Sequence, residues 1–176
     1  MAVSLIATAG LQPLQLIDAL LAGLRPLLPL VALLLILAVV LGAPMPGRGP
    51  GWFARRDPWR GFKYDARRIV LSRAGGQCEA AAFIAWGRCG HAADQVDHVY
   101  PWSKGGATVV SNGQALCASH NRNKANRTPA WWYLLLLEQR RRSYFPDGAD
   151  IQVRGSMTQA EQERRSRPTG QRDAQG

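Results

Sequence analysis

Charged side chains are almost absent from the start of this 176-residue sequence, where only Asp18 and Arg25 precede Gly47. These two cancel, so the net charge of +10 belongs entirely to residues 48–176. A basic region of that size favours a polyanionic partner, either nucleic acid or anionic lipid headgroups. The alternative is that the basic residues only aid solubility. The length allows one domain with appendages.

Cysteine is also scarce, with three residues in the whole chain. An odd count fits poorly with a closed disulfide framework, whereas three thiols and one histidine make a suitable zinc set. Thiols kept free for a metal indicate a reducing compartment. No internal repeat is present, so the sequence does not indicate a repeat architecture.

One long hydrophobic run is present, and it predicts a transmembrane helix over residues 26–46. Leu27–Gly42 consists almost wholly of Leu, Val, Ile and Ala, and a helix needs about 20 apolar residues to cross a bilayer. Residues 1–25 are a weaker apolar segment, either a second hydrophobic segment or an interfacial helix. A cleaved signal peptide ending near Ala43 is the alternative. The missing charged n-region and the distance from Met1 favour a retained anchor.

Flanking charge predicts the orientation of that helix. Arg25 alone precedes it, whereas the segment after it contains Arg48, Arg55, Arg56, Arg60 and Lys63. The positive-inside rule then places the C-terminal domain in the cytoplasm, as part of a single-pass protein of the cell membrane. Residues 47–63 are rich in Gly, Pro and Arg and are expected to be a linker close to the headgroups.

A folded domain is predicted over residues 64–153, followed by a disordered tail over residues 154–176 because hydrophobic side chains are few there. Within the domain, ten residues separate Cys78 from Cys89, and Cys117 precedes His120 in a Cys-x-x-His pair. Two such pairs can close a tetrahedral Cys3His zinc site. His91 is an alternative ligand, and three buried, inert cysteines are the alternative to any metal.

A second cluster begins at Asp97-His98 and continues to Asn112 and Asn121. The patterns predict a strand over Gln95–Tyr100, a loop, a returning strand over Gly113–Cys117 and a helix capped by Ser119 and ending near Arg127. The end of a strand would then bring Asp97 and His98 towards a helix that presents Asn121 and Lys124 on one face.

These residues resemble the HNH endonucleases, whose ββα-metal motif is in some members braced by zinc. The resemblance covers residues 75–124 and rests on "CEAAAFIAWGRCG", "DQVDHVYPWSKGG" and "SNGQALCASHNRNK". It implies that His98 is the general base, that Asn112 orients it, and that Asp97 and Asn121 bind the catalytic metal. It also implies a structural zinc set of Cys78, Cys89, Cys117 and His120. The wide first cysteine gap and the histidine ligand depart from many family members.

The chemistry agrees with these roles. Histidine is suited to deprotonating water at neutral pH, and carboxylate and amide oxygens suit Mg²⁺ or Mn²⁺. Cations near the site can contact DNA phosphates; they are Lys104, Arg122, Lys124 and Arg127. The expected activity is therefore metal-dependent hydrolysis of DNA phosphodiesters. The competing interpretations are a zinc-stabilised nucleic-acid-binding module without catalysis and a protein whose basic face binds lipid.

After the motif, Trp131–Leu137 is apolar but too short to span a bilayer. We expect a helix that packs on the small core, with base stacking beside Arg140–Arg142 or interfacial anchoring as alternatives. The predicted fold class is α+β: a small ββα-metal (HNH, His-Me finger) core with a structural zinc and flanking helices, preceded by a transmembrane helix.

Overall fold

A computed structural model describes Asp18 and residues 21–51, 53–82 and 87–166. The chain forms two compact units, Met1–Leu41 and Gly42–Gly176, and each is described by itself. The predicted segment 1–25 lies mostly outside the described residues, as does the end of the tail after Ser166.

The N-terminal unit contains a helix over Leu21–Gly42, of 22 residues, with a mean hydropathy of 2.6 over its most apolar stretch and no buried residue there. Arg25–Leu27 form a 3-10 turn that accommodates Pro26, and α1 continues over Leu28–Gly42. The helix is long and apolar enough to cross a membrane, although a signal sequence can have the same length and composition. It begins earlier and ends earlier than the predicted 26–46.

The second unit is built on two antiparallel strands and a following helix. β1 spans Gln95–His98 and β2 spans Gly113–Leu116, with Asp97 opposite Gln114 and His98 opposite Gly113. The helix after β2 contacts both strands. This arrangement confirms the predicted α+β class and its ββα unit.

The helix of this unit, α3, spans Ala118–Lys124 and corrects two predicted boundaries. Cys117, not Ser119, occupies the N-cap position, and its side chain makes no capping bond. The helix ends at Lys124 because Ala125 has a φ of 48°, a left-handed conformation that α-helices do not continue through. Both strands also end one or two residues before the predicted limits.

Two further helices enclose the strands. α2 spans Tyr64–Arg73, and its Val70 packs with Phe62, Ala74 and Ala115. α4 spans Trp131–Arg141, and its inward positions have the three- and four-residue spacing of an amphipathic helix; they are Leu134, Leu137, Glu138 and Arg141. The expected packing of this helix on the core is therefore confirmed.

The segments on either side of the predicted domain are more ordered than composition indicated. In the expected linker, Asp57 and Phe62 are buried, because Phe62 joins the core and Asp57 accepts hydrogen bonds from the domain. In the expected disordered tail, α5 spans Gln159–Ser166, and Arg165 forms an ion pair with Asp57. Phe62 and the polar contacts of Asp57 hold the first segment, and the ion pair of Arg165 holds the second. A count of hydrophobic residues does not detect such polar contacts.

Candidate functional site

The loop between β1 and β2 is held by Asn112, whose side chain is fully buried. Its Oδ1 accepts a hydrogen bond from the amide of Tyr100 at 2.8 Å, and its Nδ2 donates to the carbonyls of Tyr100 at 3.0 Å and Ala107 at 2.8 Å. A Cβ on Gly106 would lie 1.9 Å from the Tyr100 carbonyl oxygen, so only glycine fits this turn. The loop that follows His98 is thus fixed at both ends.

His98 ends β1 with its side chain buried, only 5% exposed. Its ring lies 4.6 Å from that of Phe62, measured between centroids, and its Nδ1 lies 3.9 Å from Asp97 Oδ1. Burial lowers the pKa of His98 below its ordinary value, against an opposing effect of Asp97. The imidazole is therefore neutral at pH 7, the state that a general base requires.

The hydrogen bonds of Thr108 fix which ring nitrogen of His98 holds the proton. Thr108 Oγ1 lies 2.8 Å from His98 Nε2 and also donates to the carbonyl of Trp59. A hydroxyl has one hydrogen, so towards His98 this oxygen can only accept. The hydrogen of the neutral imidazole is therefore on Nε2, and Nδ1 has the lone pair, on the side of the ring nearer Asp97.

Asp97 and Asn121 lie at the facing surfaces of β1 and α3. Asp97 Oδ2 accepts a 2.8 Å bond from Lys124 Nζ, in an ion pair whose side chains are 28% and 14% exposed, respectively. Asn121 donates its amide N–H to Gln95 Oε1. That bond uses the nitrogen of Asn121 and leaves its amide oxygen as the atom that can bind a cation. Hard oxygen donors of this kind fit Mg²⁺ or Mn²⁺.

The four predicted zinc ligands come together. One ligand atom from each of Cys78, Cys89, Cys117 and His120 lies within 4.8 Å of the other three, and His120 Nδ1 is 3.3 Å from Cys117 Sγ and 3.7 Å from Cys78 Sγ. This Cys3His donor set fits a structural zinc ion.

The ten-residue gap between the first two cysteines is closed by backbone pairing. The amide of Cys78 donates to the carbonyl of His91, and the amide of Cys89 donates to that of Ala80. These bonds bring the two thiols side by side despite their separation in sequence. His91, the alternative ligand, has its Nδ1 3.3 Å from Cys89 Sγ, but it is not part of the four-residue cluster.

The thiol pKa values of Cys78 and Cys117, two members of the zinc set, are shifted in opposite directions. Burial raises the pKa of the Cys78 thiol, whereas the backbone amide of His120 lowers the pKa of Cys117. A buried thiol such as Cys78 becomes a thiolate only when a cation compensates the charge. A bound zinc ion would supply that compensation.

Three of the four predicted phosphate contacts are exposed: Lys104, Arg122 and Arg127. Lys124 differs, because its ammonium group is held by Asp97. A cavity of about 420 Å³ is lined by Lys124, Arg127 and Trp132, among other residues. Trp132 is 40% exposed. Cations beside an aromatic face suit a nucleic-acid strand.

Several residues at this site gave no recognisable signal in the sequence. Thr108 contacts His98, Asp57 and Arg165 contact Thr108, and Gln95 contacts Asn121. Only the position of Gln95, two residues before Asp97 on the same face of a strand, was readable from the pattern.

Comparison with known proteins gives one family match. Residues 86–127 match the family model described as HNH endonuclease. No curated protein matches the chain, and no solved structure matches it. The matched residues include His98, Asn112 and Asn121 and three of the four clustered zinc ligands, Cys89, Cys117 and His120; Cys78 precedes the match.

Proposed function

We propose that this chain, whose residues 86–127 match the HNH endonuclease family model, hydrolyses DNA phosphodiester bonds with His98 as the general base. The observation that supports this most directly is the state of His98: neutral, bonded through Nε2 to Thr108, and with Nδ1 near Asp97. A nucleic-acid-related function follows from the family match, and the basic charge of the domain favours a phosphate backbone.

In the proposed reaction, His98 Nδ1 accepts a proton from the water that attacks phosphorus. Asn112 holds the loop that fixes the imidazole, because it bonds both Tyr100 and Ala107. Asp97 and Asn121 would hold a divalent cation through their side-chain oxygens. That cation, Mg²⁺ or Mn²⁺, would neutralise the charge that develops on the leaving oxygen.

Lys124 has a separate role in this proposal. Its ammonium group lies 2.8 Å from Asp97 Oδ2, where it compensates the carboxylate charge. A cation that approaches Asp97 would repel Lys124. The displaced ammonium group would then be available to a non-bridging phosphate oxygen.

The direct experiment incubates the full chain with supercoiled plasmid, in the presence of Mg²⁺, Mn²⁺ or a chelator. Nicked or linear DNA that forms only with a divalent cation supports the nuclease. Retarded but uncut DNA would instead favour the zinc-stabilised binding module. Binding to anionic vesicles and not to DNA would favour a lipid-surface protein.

Replacing Asp97 by alanine is expected to abolish cleavage in Mg²⁺ and to leave partial cleavage in excess Mn²⁺. The reason is that the variant loses one oxygen ligand, so its affinity for the cation falls. Plasmid nicking measured over a range of metal concentrations gives the shift. Asp65→Asn is the matched control, because the Asp65 side chain is 80% exposed and pairs only with Arg68 in the described ion pairs. An Asp97→Ala enzyme with an unchanged metal requirement would contradict the proposed ligand role.

We also propose that the helix Leu21–Gly42 anchors the chain in the cell membrane with the nuclease domain in the cytoplasm. Its length, its hydropathy and the exposure of its side chains support the anchor. The arginines that follow it support the orientation. A nuclease at this location would act on DNA at the inner surface of the membrane.

A reporter fused after Gly176 is expected to be active in the cytoplasm and silent on the other side of the membrane. Paired fusions to a cytoplasmic and a secreted reporter measure this directly. Fractionation of the same cells should place the chain with the membrane pellet after a high-salt wash. Recovery of a shortened, secreted chain would show that the hydrophobic segment is a cleaved signal sequence.

A further inference from the structure

Thr108 uses all of its polar atoms in contacts that converge beside His98. Its amide donates to Asp57 Oδ2 at 2.8 Å, and its hydroxyl donates to the carbonyl of Trp59. Its carbonyl accepts a hydrogen bond from Arg165, and its Oγ1 lies 2.8 Å from His98 Nε2. Thr108 therefore connects the imidazole of His98 to two distant segments of the chain, residues 57–59 and the helix that contains Arg165.

Asp57 and Arg165 are bound to each other as well as to Thr108. Arg165 Nη1 donates to both carboxylate oxygens of Asp57, at 2.8 and 2.7 Å, and the guanidinium lies 4.4 Å from the centre of the Trp59 ring. The Asp57 carboxylate is buried and accepts a further bond from the Trp59 amide at 2.9 Å. Burial raises the pKa of Asp57, but these amides and Arg165 outweigh it, so the pKa is lower than usual.

The position of this pair in the sequence is informative. Asp57 precedes the residues of the family match, and Arg165 follows them. They are 108 residues apart, and both form hydrogen bonds with Thr108 in the loop between β1 and β2. Neither contact is needed to form the ββα unit or the zinc cluster, which use other residues.

We propose that Asp57 and Arg165 are positioning residues that hold Thr108 in place, so that Thr108 keeps the hydrogen of His98 on Nε2 and Nδ1 free to accept a proton. This inference rests on the proposed nuclease function. It makes the segments on both sides of the family match part of the active site. A catalytic histidine in the wrong tautomer loses most of its activity even when the geometry is intact.

The test compares Thr108→Val with Thr108→Ser in the full chain. Valine has nearly the shape of threonine but cannot accept from Nε2, whereas serine keeps the hydroxyl. We expect Thr108→Val to lower kcat by about 10- to 100-fold. Removing a residue that orients a histidine at a metal site has an effect of this size. KM should change little, because Thr108 is only 4% exposed and has almost no surface to offer to DNA. Thr108→Ser should keep most of the activity.

The tautomer itself can be read from the ¹⁵N chemical shifts of the His98 ring at one fixed pH. Comparison with the spectrum of His98→Gln assigns the signals among the three histidines of the chain. In the wild-type chain Nε2 should bear the hydrogen, and in Thr108→Val the two tautomers should mix. A spectrum of Thr108→Val that matches the wild type, together with unchanged kcat, would overturn the inference.

A second pair of variants tests the ion pair without touching Thr108. Arg165→Gln should lower kcat and shift the His98 ring signals in the same direction as Thr108→Val. Arg164→Gln is the matched control on the same helix, since Arg164 is exposed and donates only to the backbone of its own helix in the described contacts. Equal activity and equal spectra for Arg165→Gln and Arg164→Gln would also count against the proposal.

These readouts separate two kinds of failure. A wild-type chain that cuts no DNA contradicts the proposed function, yet the His98 spectra still show whether Thr108 fixes the tautomer. If Thr108→Val does not fold, the same comparison is made with Arg165→Gln and Thr108→Ser. A nuclease that cuts normally in all these variants leaves the proposed function standing and removes the positioning role.

Discussion

Cleavage of supercoiled DNA is expected to fall by about 10²–10⁴-fold when His98 is replaced by alanine, the usual share of a positioned general base. The variant loses the Nδ1 lone pair, and no other imidazole lies at the end of β1. Zinc content should stay the same, because His98 is not one of the four clustered ligands. The rate of nicking under saturating Mg²⁺ or Mn²⁺ measures the loss.

Loss of folding must be separated from loss of the base, since His98 is buried against Phe62. Phe62→Leu is the matched control, because it disturbs the same packing and keeps the imidazole. We expect Phe62→Leu to lower the thermal midpoint and to retain most of the cleavage rate, whereas His98→Ala loses cleavage while still folded at the assay temperature. Normal cutting by His98→Ala would contradict the assignment of His98 as the general base and, with it, the proposed mechanism.

Excess Mn²⁺ distinguishes the base from the metal ligands. Added cation restores occupancy of a weakened metal site, so it should partly rescue Asp97→Ala. It cannot restore a missing proton acceptor, and His98→Ala should remain inactive. Rescue of Asp97→Ala but not of His98→Ala by Mn²⁺ would identify Asp97 as a metal ligand and His98 as the base.

The pH dependence follows from the environment of His98. Burial lowers its pKa from the ordinary value of 6.5, so the base remains neutral and active at a more acidic pH than a solvated histidine would. Protonation of Nδ1 ends the activity when the pH falls through that lowered pKa. The ββα unit should also lose stability over this range, because the unfolded chain binds the proton more readily.

The sequence was sufficient where chemistry depends on residue type and short spacing. The Cys117-x-x-His120 pair lies at the N-terminus of α3, with Cys117 at the N-cap and His120 in the first turn, and the polar side chain of Asn112 has a fixed place after the glycine loop. The two strands and helix α4 followed from the pattern of hydrophobic residues. These features are local, so a linear pattern contains them.

The features that were missed depend on distant polar contacts. Glu79 is fully buried and accepts hydrogen bonds from Arg141, Tyr144 and the amide of Ala115, although nothing in its neighbourhood of sequence indicates burial. The ion pair of Asp57 and Arg165 joins segments that composition classified as linker and disordered tail. Buried charge needs a specific partner, and a single sequence does not name partners so far apart.

Replacing Cys117 by serine is expected to abolish zinc binding and to unfold the second unit of the chain. Structural zinc sites supply an apparent binding free energy of about 10–16 kcal/mol, which matches or exceeds the ~5–15 kcal/mol by which domains are stable. The zinc ligands also join α3 to the segment at Cys78 and Cys89, and among the described residues the small buried cluster around them contains one further large apolar side chain, Leu116. Metal analysis of the full chain should find about one zinc ion per molecule. The control Ser119→Ala, at an exposed position of the same helix, should keep both the metal and the thermal midpoint of the wild type.

Zinc binding should release protons in a weakly buffered solution, because burial keeps the Cys78 thiol protonated until the metal arrives. A well-folded Cys117→Ser chain, or a wild-type chain that holds no zinc and does not unfold in a chelator, would show that the three cysteines pack as inert side chains.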